Sequence, residues 1–282
     1  MATSPCPIRV VTATVSGHMD RVYEAMGHGA LDAVNTPTLG AGGLVAGGDE
    51  LVRKLMQIAA LTGMSSTDSG SSPRSAASPD GPPRNGSSAE ALPPLVAIGA
   101  STGGPKAVSE VLETLPADWP VAVVVVQHID SSFAPGLIKW LGDHSPLPVR
   151  MIQSGDRPSA GVVHVSGTDD HIVLNERGCL VIQAEPVADP YRPSVDVFFD
   201  SLAAQQTRPG AAVVLTGMGR DGARGLLRLR QLGWHTIAQD RDTCTVWGMP
   251  RAAVELSAAV EILPPIRIGK ALIDAMKSNL SN

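Results

Sequence analysis

The chain has 282 residues, of which 43% are hydrophobic, 17% charged and only 3% aromatic, with a formal net charge of −5. That length fits one or two domains with an aliphatic core, and the acidic balance argues against a nucleic-acid binder, which usually shows a basic stripe. No apolar run reaches the roughly 18 residues of a membrane span, and the N-terminal MATSPCPIRVV lacks the basic-then-apolar order of a signal peptide, so a cytoplasmic protein without membrane insertion is expected.

In chain order, IRVVTATV (8–15) reads as a strand, 18–27 as a short helix closed by Gly27, and ALDAV (30–34) as a second strand. After a glycine-rich loop, Asp49 is placed to cap a helix carrying Leu51, Leu55, Ile58 and Ala59 at helical spacing. This βαβα unit of residues 1–61 is at or below the size that usually folds alone. Residues 62–93 are rich in Ser, Pro and Gly and too poor in apolar groups to offset their ordering entropy, so a flexible linker is expected.

From 94 to 282, strands and helices alternate. LVAIGA (95–100) is apolar throughout, as a strand buried on both faces should be, and VAVVVVQH (121–128) and AAVVLTGMG (211–219) read as further buried strands. Helices are expected at 106–115, 133–141, 194–206, 220–232, 250–256 and 265–277, and HTIAQ (235–239) is a further strand. PVRMI, VVHVS, HIVLN and CLVIQ are short β-like pieces between them. Repeated βα units imply a doubly wound, three-layer α/β/α domain with a mostly parallel sheet. Ligands of such sheets sit at the C-terminal strand ends.

Three residues stand at those ends. Gly99-Ala100-Ser101-Thr102-Gly103 matches the G-x-S-x-G elbow, in which a tight strand-to-helix turn raises a serine hydroxyl above the sheet. The alternative is a glycine-rich turn whose serine merely caps the next helix. His128 ends the next buried strand and is the best-placed base, whereas His18, His28, His144, His164, His171 and His235 lie elsewhere. Asp221, past the third buried strand, would orient that histidine, or else serve as a first-turn aspartate of a helix. Cys6, Cys179 and Cys244 are scattered, with neither a disulfide nor a zinc spacing, and no metal is expected.

Rival readings exist. Gly217-Met218-Gly219-Arg220-Asp221-Gly222 is a literal G-x-G-x-x-G after a strand, with Asp240 ending the next one, which would suit a dinucleotide-binding protein. Against this, Asp221 puts a carboxylate inside the loop that should cradle pyrophosphate. The order Ser101, His128, Asp221 is also not the serine–acid–histidine order of the α/β-hydrolases.

Residues 94–274 resemble the catalytic domain of the bacterial chemotaxis protein-glutamate methylesterases through IGASTGGP, VVVQHI, DPYRPSVDVFFDS, VVLTGMGRDGARG and TIAQD…CTVWGMPRAA, in order along the domain. The resemblance implies Ser101 as nucleophile, His128 as base and Asp221 as orienting acid. It also implies, as substrate, methylated glutamates on cytoplasmic helices of chemoreceptor-like proteins, with glutamine deamidation besides. Backbone amides near Thr102 and Met218 would hold the oxyanion, the Thr102 side chain would help orient His128, and Arg192 would line the substrate entrance or be an ordinary surface arginine. No cofactor is implied. A non-catalytic receptor-binding scaffold is the other reading of the same resemblance.

Residues 1–61 resemble the last third of a response-regulator receiver domain, with Thr12 on the phosphoryl-sensing strand. The acidic cluster and phospho-acceptor aspartate of that family belong upstream, and Thr36 stands where a lysine is usual, so the expectation is a truncated or late-started regulator. A histidine kinase would be a partner if a full receiver exists. EAMGHGALDAV resembles the branch serving surface-sensing, Wsp-like pathways.

Overall fold

The structure is a computed structural model that describes residues 92–205 and 208–280, with 9–12, 21–23, 25, 32–39, 45–46, 48, 51–52 and 55 from the N-terminal part. The expected linker up to residue 91, and Asp49, Ile58 and Ala59, lie outside the described residues. The chain divides into two compact units, residues 1–36 with 92–282 and residues 37–91.

In the larger unit, β1 (Arg9–Thr12) pairs parallel with β2 (Asp32–Asn35). The smaller unit holds β3 (Thr38–Leu39) and β4 (Val45–Ala46), an antiparallel pair where the sequence suggested only a glycine-rich loop. Val22 and Tyr23 are buried in the larger unit's core, and the Tyr23 hydroxyl donates to the Phe133 carbonyl at 2.6 Å.

The main sheet begins with β5 (Leu95–Ala100), followed by α1 (Gly104–Leu112), β6 (Ala122–Gln127), a single 3₁₀ turn (Ser131–Phe133) and α2 (Ala134–His144). Next come β7 (Val149–Met151), β8 (Val163–Val165), β9 (His171–Leu174), β10 (Leu180–Gln183) and α3 (Val195–Ala204). The chain closes with β11 (Ala211–Val214), α4 (Ala223–Gln231), β12 (His235–Gln239), α5 (Met249–Glu255), β13 (Glu261–Leu263) and α6 (Pro265–Leu280). Seven of these strands form one sheet in the order β13-β12-β11-β5-β6-β8-β7, and every neighbouring pair in it is parallel. The remaining pair, β9 and β10, is an antiparallel hairpin outside that sheet.

The apolar runs have a direct cause. Val96, Ile98 and Ala100 of β5 point into a core shared with α1, α2 and α6, while Leu95 and Ala97 point into a second core shared with α3, α4 and α5. The same alternation divides Val123 and Val125 of β6 from Val124 and Val126, and Val213 of β11 from Val214. Both faces are covered, so both sets of alternate residues must be apolar. The helix after β5 covers one face and the helix after β11 covers the other. The gap between the C-terminal ends of these adjacent strands is therefore the topological switch point of the sheet.

Differences from expectation are local. α1 starts at Gly104 and not at 106, because Pro105 at the first turn has no amide to satisfy. β11 ends at Val214, and the TGMG that follows is loop. β13 was not expected: it is a three-residue edge strand with an exposed centre, too short to give an alternation signal.

Close packing under the switch point sets one test. A Cβ on Gly99 would stand 2.2 Å from Val195 Cγ1. Gly99→Ala is expected to cost about 1–3 kcal/mol through overpacking, read as a lower urea midpoint with unchanged slope.

Candidate functional site

Ser101 leaves β5 at the switch point. Its amide donates to the Thr216 carbonyl at 3.0 Å, and its carbonyl accepts the Gly104 amide at 2.8 Å. The residue capping α1 is Gly103, in the left-handed region at φ 76°, with no side-chain cap. A Cβ there would also meet Thr245 Oγ1 at 2.4 Å, so glycine is required twice over. The Ser101 hydroxyl is thus not spent on capping, which removes the bland reading of the elbow.

His128 leaves β6, the neighbouring strand, and its amide donates to the Ala100 carbonyl at 2.9 Å. Gln127 ties the two strand ends together. Its Nε2 donates to the Ser101 carbonyl at 2.8 Å and to the His128 carbonyl at 3.1 Å. Thr216 does similar work from β11's side, accepting the Val246 amide at 2.9 Å and donating to the Thr102 carbonyl at 3.0 Å. Thr102 therefore meets its neighbours through its carbonyl, and its side chain makes no hydrogen bond to His128.

Asp221 arrives from the loop after β11 and is almost fully buried. His128 Nε2 lies 2.8 Å from its Oδ2. The carboxylate also accepts the amides of Val195 at 2.6 Å, Asp196 at 2.9 Å and Gly222 at 3.0 Å, and the Ser194 hydroxyl at 2.9 Å. Val195 and Asp196 open α3, so the carboxylate sits on that helix's N-terminus, where free amides and the dipole favour negative charge. Burial by itself would raise the Asp221 pKa, but the His128 hydrogen bond and charge and the Asp196 and Val195 amides outweigh it and hold it below the usual value.

Asp196 behaves oppositely. Burial raises its pKa, and the charge of Asp221 adds to that, although it accepts the Gly225 amide at 2.8 Å and Arg224 Nε at 3.1 Å. Burial and the nearby Asp240 push the Cys244 thiol up to about 12, so it is held as the neutral thiol.

The structure brings His128 and Asp221 into contact and sets Ser101 on the adjacent strand end, without a hydrogen bond between Ser101 and His128. Met218 lies half-buried in the loop leading to Asp221, beside Gly248. Arg192 is occupied locally, donating to the Val187 carbonyl at 2.8 Å and pairing loosely with Asp170 at 3.8 Å. Gln127, Tyr191, Ser194 and His171 were not singled out from the sequence. His171 is fully buried, accepting the Ser194 amide on Nδ1 at 3.2 Å with Nε2 3.3 Å from the Pro186 carbonyl. The only sequence hint was the polar DPYRPS beside an otherwise apolar helix.

The amides at the end of the GMGRDG loop and at the start of the next helix already have acceptors within the protein. The Gly222 amide is held by the Asp221 carboxylate, the Ala223 amide by the Arg220 carbonyl and the Gly225 amide by Asp196.

Fold and site define a doubly wound α/β protein with a histidine–carboxylate pair and a serine at its switch point. The CheB methylesterase family model matches residues 96–272. A protein-glutamate methylesterase/protein-glutamine glutaminase of Burkholderia thailandensis is 48% identical over 280 residues, covering 99% of this chain and 79% of its own length. One of Mesorhizobium japonicum is 47% identical over 279 residues, covering 98% of this chain and 78% of its own length. The crystal structure of the Thermotoga maritima CheB methylesterase catalytic domain superposes with a TM-score of 0.61 at 34% identity, covering 64% of this chain and 97% of that one. The chain belongs to the CheB methylesterase family. Among the described residues, no helix is long and apolar enough to cross a membrane.

Because the folded state depresses the Asp221 pKa, the ionised carboxylate stabilises the fold above its unfolded pKa, and that gain is lost as pH falls through the folded value. The stability gap between wild type and Asp221→Asn is therefore expected to be full at neutral pH and to shrink below the ordinary carboxylate range, as measured by urea unfolding across pH.

Proposed function

We propose that this chain hydrolyses glutamate γ-methyl esters on the cytoplasmic helices of chemoreceptor-like proteins, and deamidates glutamine at such sites, by a Ser101–His128–Asp221 triad. The observation that carries this reading is the His128–Asp221 pair at 2.8 Å beside a serine that the turn leaves uncapped.

The tautomer follows from that pair. Asp221 accepts from Nε2, so Nε2 carries the proton and Nδ1 is the nitrogen left to act as base. Nδ1 takes the Ser101 proton as Oγ attacks the ester carbonyl. Asp221 stabilises the imidazolium so formed. The amides of Thr102 and Met218 are the candidate donors to the tetrahedral oxyanion, since neither has a backbone acceptor among the described residues. Collapse returns the proton to the leaving methoxide, which departs as methanol and leaves a glutamyl ester on Ser101. Water, losing its proton to His128, then attacks that ester, and His128 returns the proton to the departing Ser101 oxygen, leaving the receptor's glutamate side chain as a carboxylate. With glutamine the leaving group is ammonia and the remaining steps are unchanged. Arg192 would meet carboxylates of the receptor helix by exchanging its loose pairing with Asp170, and the protein would work in the cytoplasm, where those helices lie.

The test is methanol release from a methylated receptor. Ser101→Ala is expected to lose roughly 10³-fold or more in kcat with its fold intact by circular dichroism. Release by Ser101→Ala at the wild-type rate, or none from wild type, would overturn the reading.

A further inference from the structure

We propose that Tyr191 is a positioning residue for His128: its ring covers one face of the imidazole, keeping water from the His128–Asp221 pair and fixing the ring plane from which the base acts. The inference rests on His128 being the base.

The two rings are stacked, with centroids 5.1 Å apart and planes 11° from parallel. His128 itself retains only 13% side-chain exposure and Asp221 3%. An ion pair that forms transiently during catalysis is worth far more out of water than in it, so whatever seals this pair acts on the step that charges the imidazole.

Tyr191 is held from several sides. Its amide donates to Asp189 Oδ1 at 2.9 Å. The segment carrying it is pinned at both ends by the buried His171, whose two ring nitrogens meet the Pro186 carbonyl and the Ser194 amide. The hydroxyl reaches across to the loop that delivers Asp221. A Cβ on Gly219 would stand 2.2 Å from the Tyr191 hydroxyl oxygen, and Gly219 is in the left-handed region at φ 85°. Burial and the charges of Asp221 and Asp189 outweigh the opposing pull of the nearby Arg220 backbone and keep the phenol protonated to higher pH than usual. One side chain thus touches the histidine with its face and the aspartate's own loop with its tip.

The experiment compares Tyr191→Phe and Tyr191→Leu on methylated receptor, with the proton NMR signal of the His128 ring hydrogen bonded to Asp221, assigned by its loss in His128→Gln. Tyr191→Leu is expected to lose about tenfold or more in kcat with KM within about twofold, and its bridging proton should exchange with water too fast to observe. Tyr191→Phe, which keeps the ring, should recover at least about a third of wild-type kcat and the protected proton. If Tyr191→Leu fails to fold, Tyr191→Met carries the same expectations. Wild-type kcat in the leucine variant, or a bridging proton still protected in it, would each overturn the inference. Methanol release that persists in Ser101→Ala would instead sink the triad, and the proton signal would still report on Tyr191 because it needs no turnover.

Discussion

A single buried carboxylate organises this molecule's polar interior. Asp221 takes five donors, from His128, Ser194, Val195, Asp196 and Gly222, in a place where an unsatisfied charge would cost several kcal/mol. Those donors come from the end of β6, from the start of α3 and from the loop into α4, so the carboxylate ties the sheet to two helices that cover the same face of it. The N-terminus of α3 is what makes the burial tolerable, since its amides have no helical partners of their own. Asp196, one residue into the same helix, shows the limit of the device: the amides facing Asp221 are already used, and its own charge is disfavoured by burial and by its neighbour.

The arrangement also explains why the loop after β11 looks like a nucleotide-binding signature without being one. Glycine at 219 and 222 answers close contacts with Tyr191 and Val195, the former's hydroxyl and the latter's side chain. The same spacing that elsewhere lets backbone approach pyrophosphate here lets it approach the protein's own side chains. A motif states where backbone must come close to something, and the structure says to what.

Much of the fold was legible because the strongest signals were the most local. Apolar runs at 95–100 and 121–128 could only be strands covered on both faces, and Ser101 and His128 follow directly from where those runs stop. The placement of β8 between β6 and β7 was not legible, because VVHVS and PVRMI are short pieces whose order in a sheet depends on a crossover that leaves no periodic trace. Gln127 read as the tail of a strand, yet its amide group fastens Ser101 to His128 across the gap between strands. Tyr191 and His171 escaped for the same reason: each acts through partners distant in sequence, and the polar DPYRPS hinted at a site without saying what its tyrosine would meet. The resemblance to a known family named the triad, but the contacts that hold it were visible only in three dimensions.

Ser101 and His128 sit just beyond β5 and β6, and Asp221 lies in the loop after β11, three strands consecutive at the centre of the sheet in the order β11-β5-β6. Such strand ends open only when the sheet itself comes apart, whereas the 186–194 loop rests on one histidine and a few hydrogen bonds. The site therefore has two tiers of cooperativity. Its serine, histidine and aspartate should stay assembled up to the global melting transition, and the cover over the imidazole should be the part that breathes first.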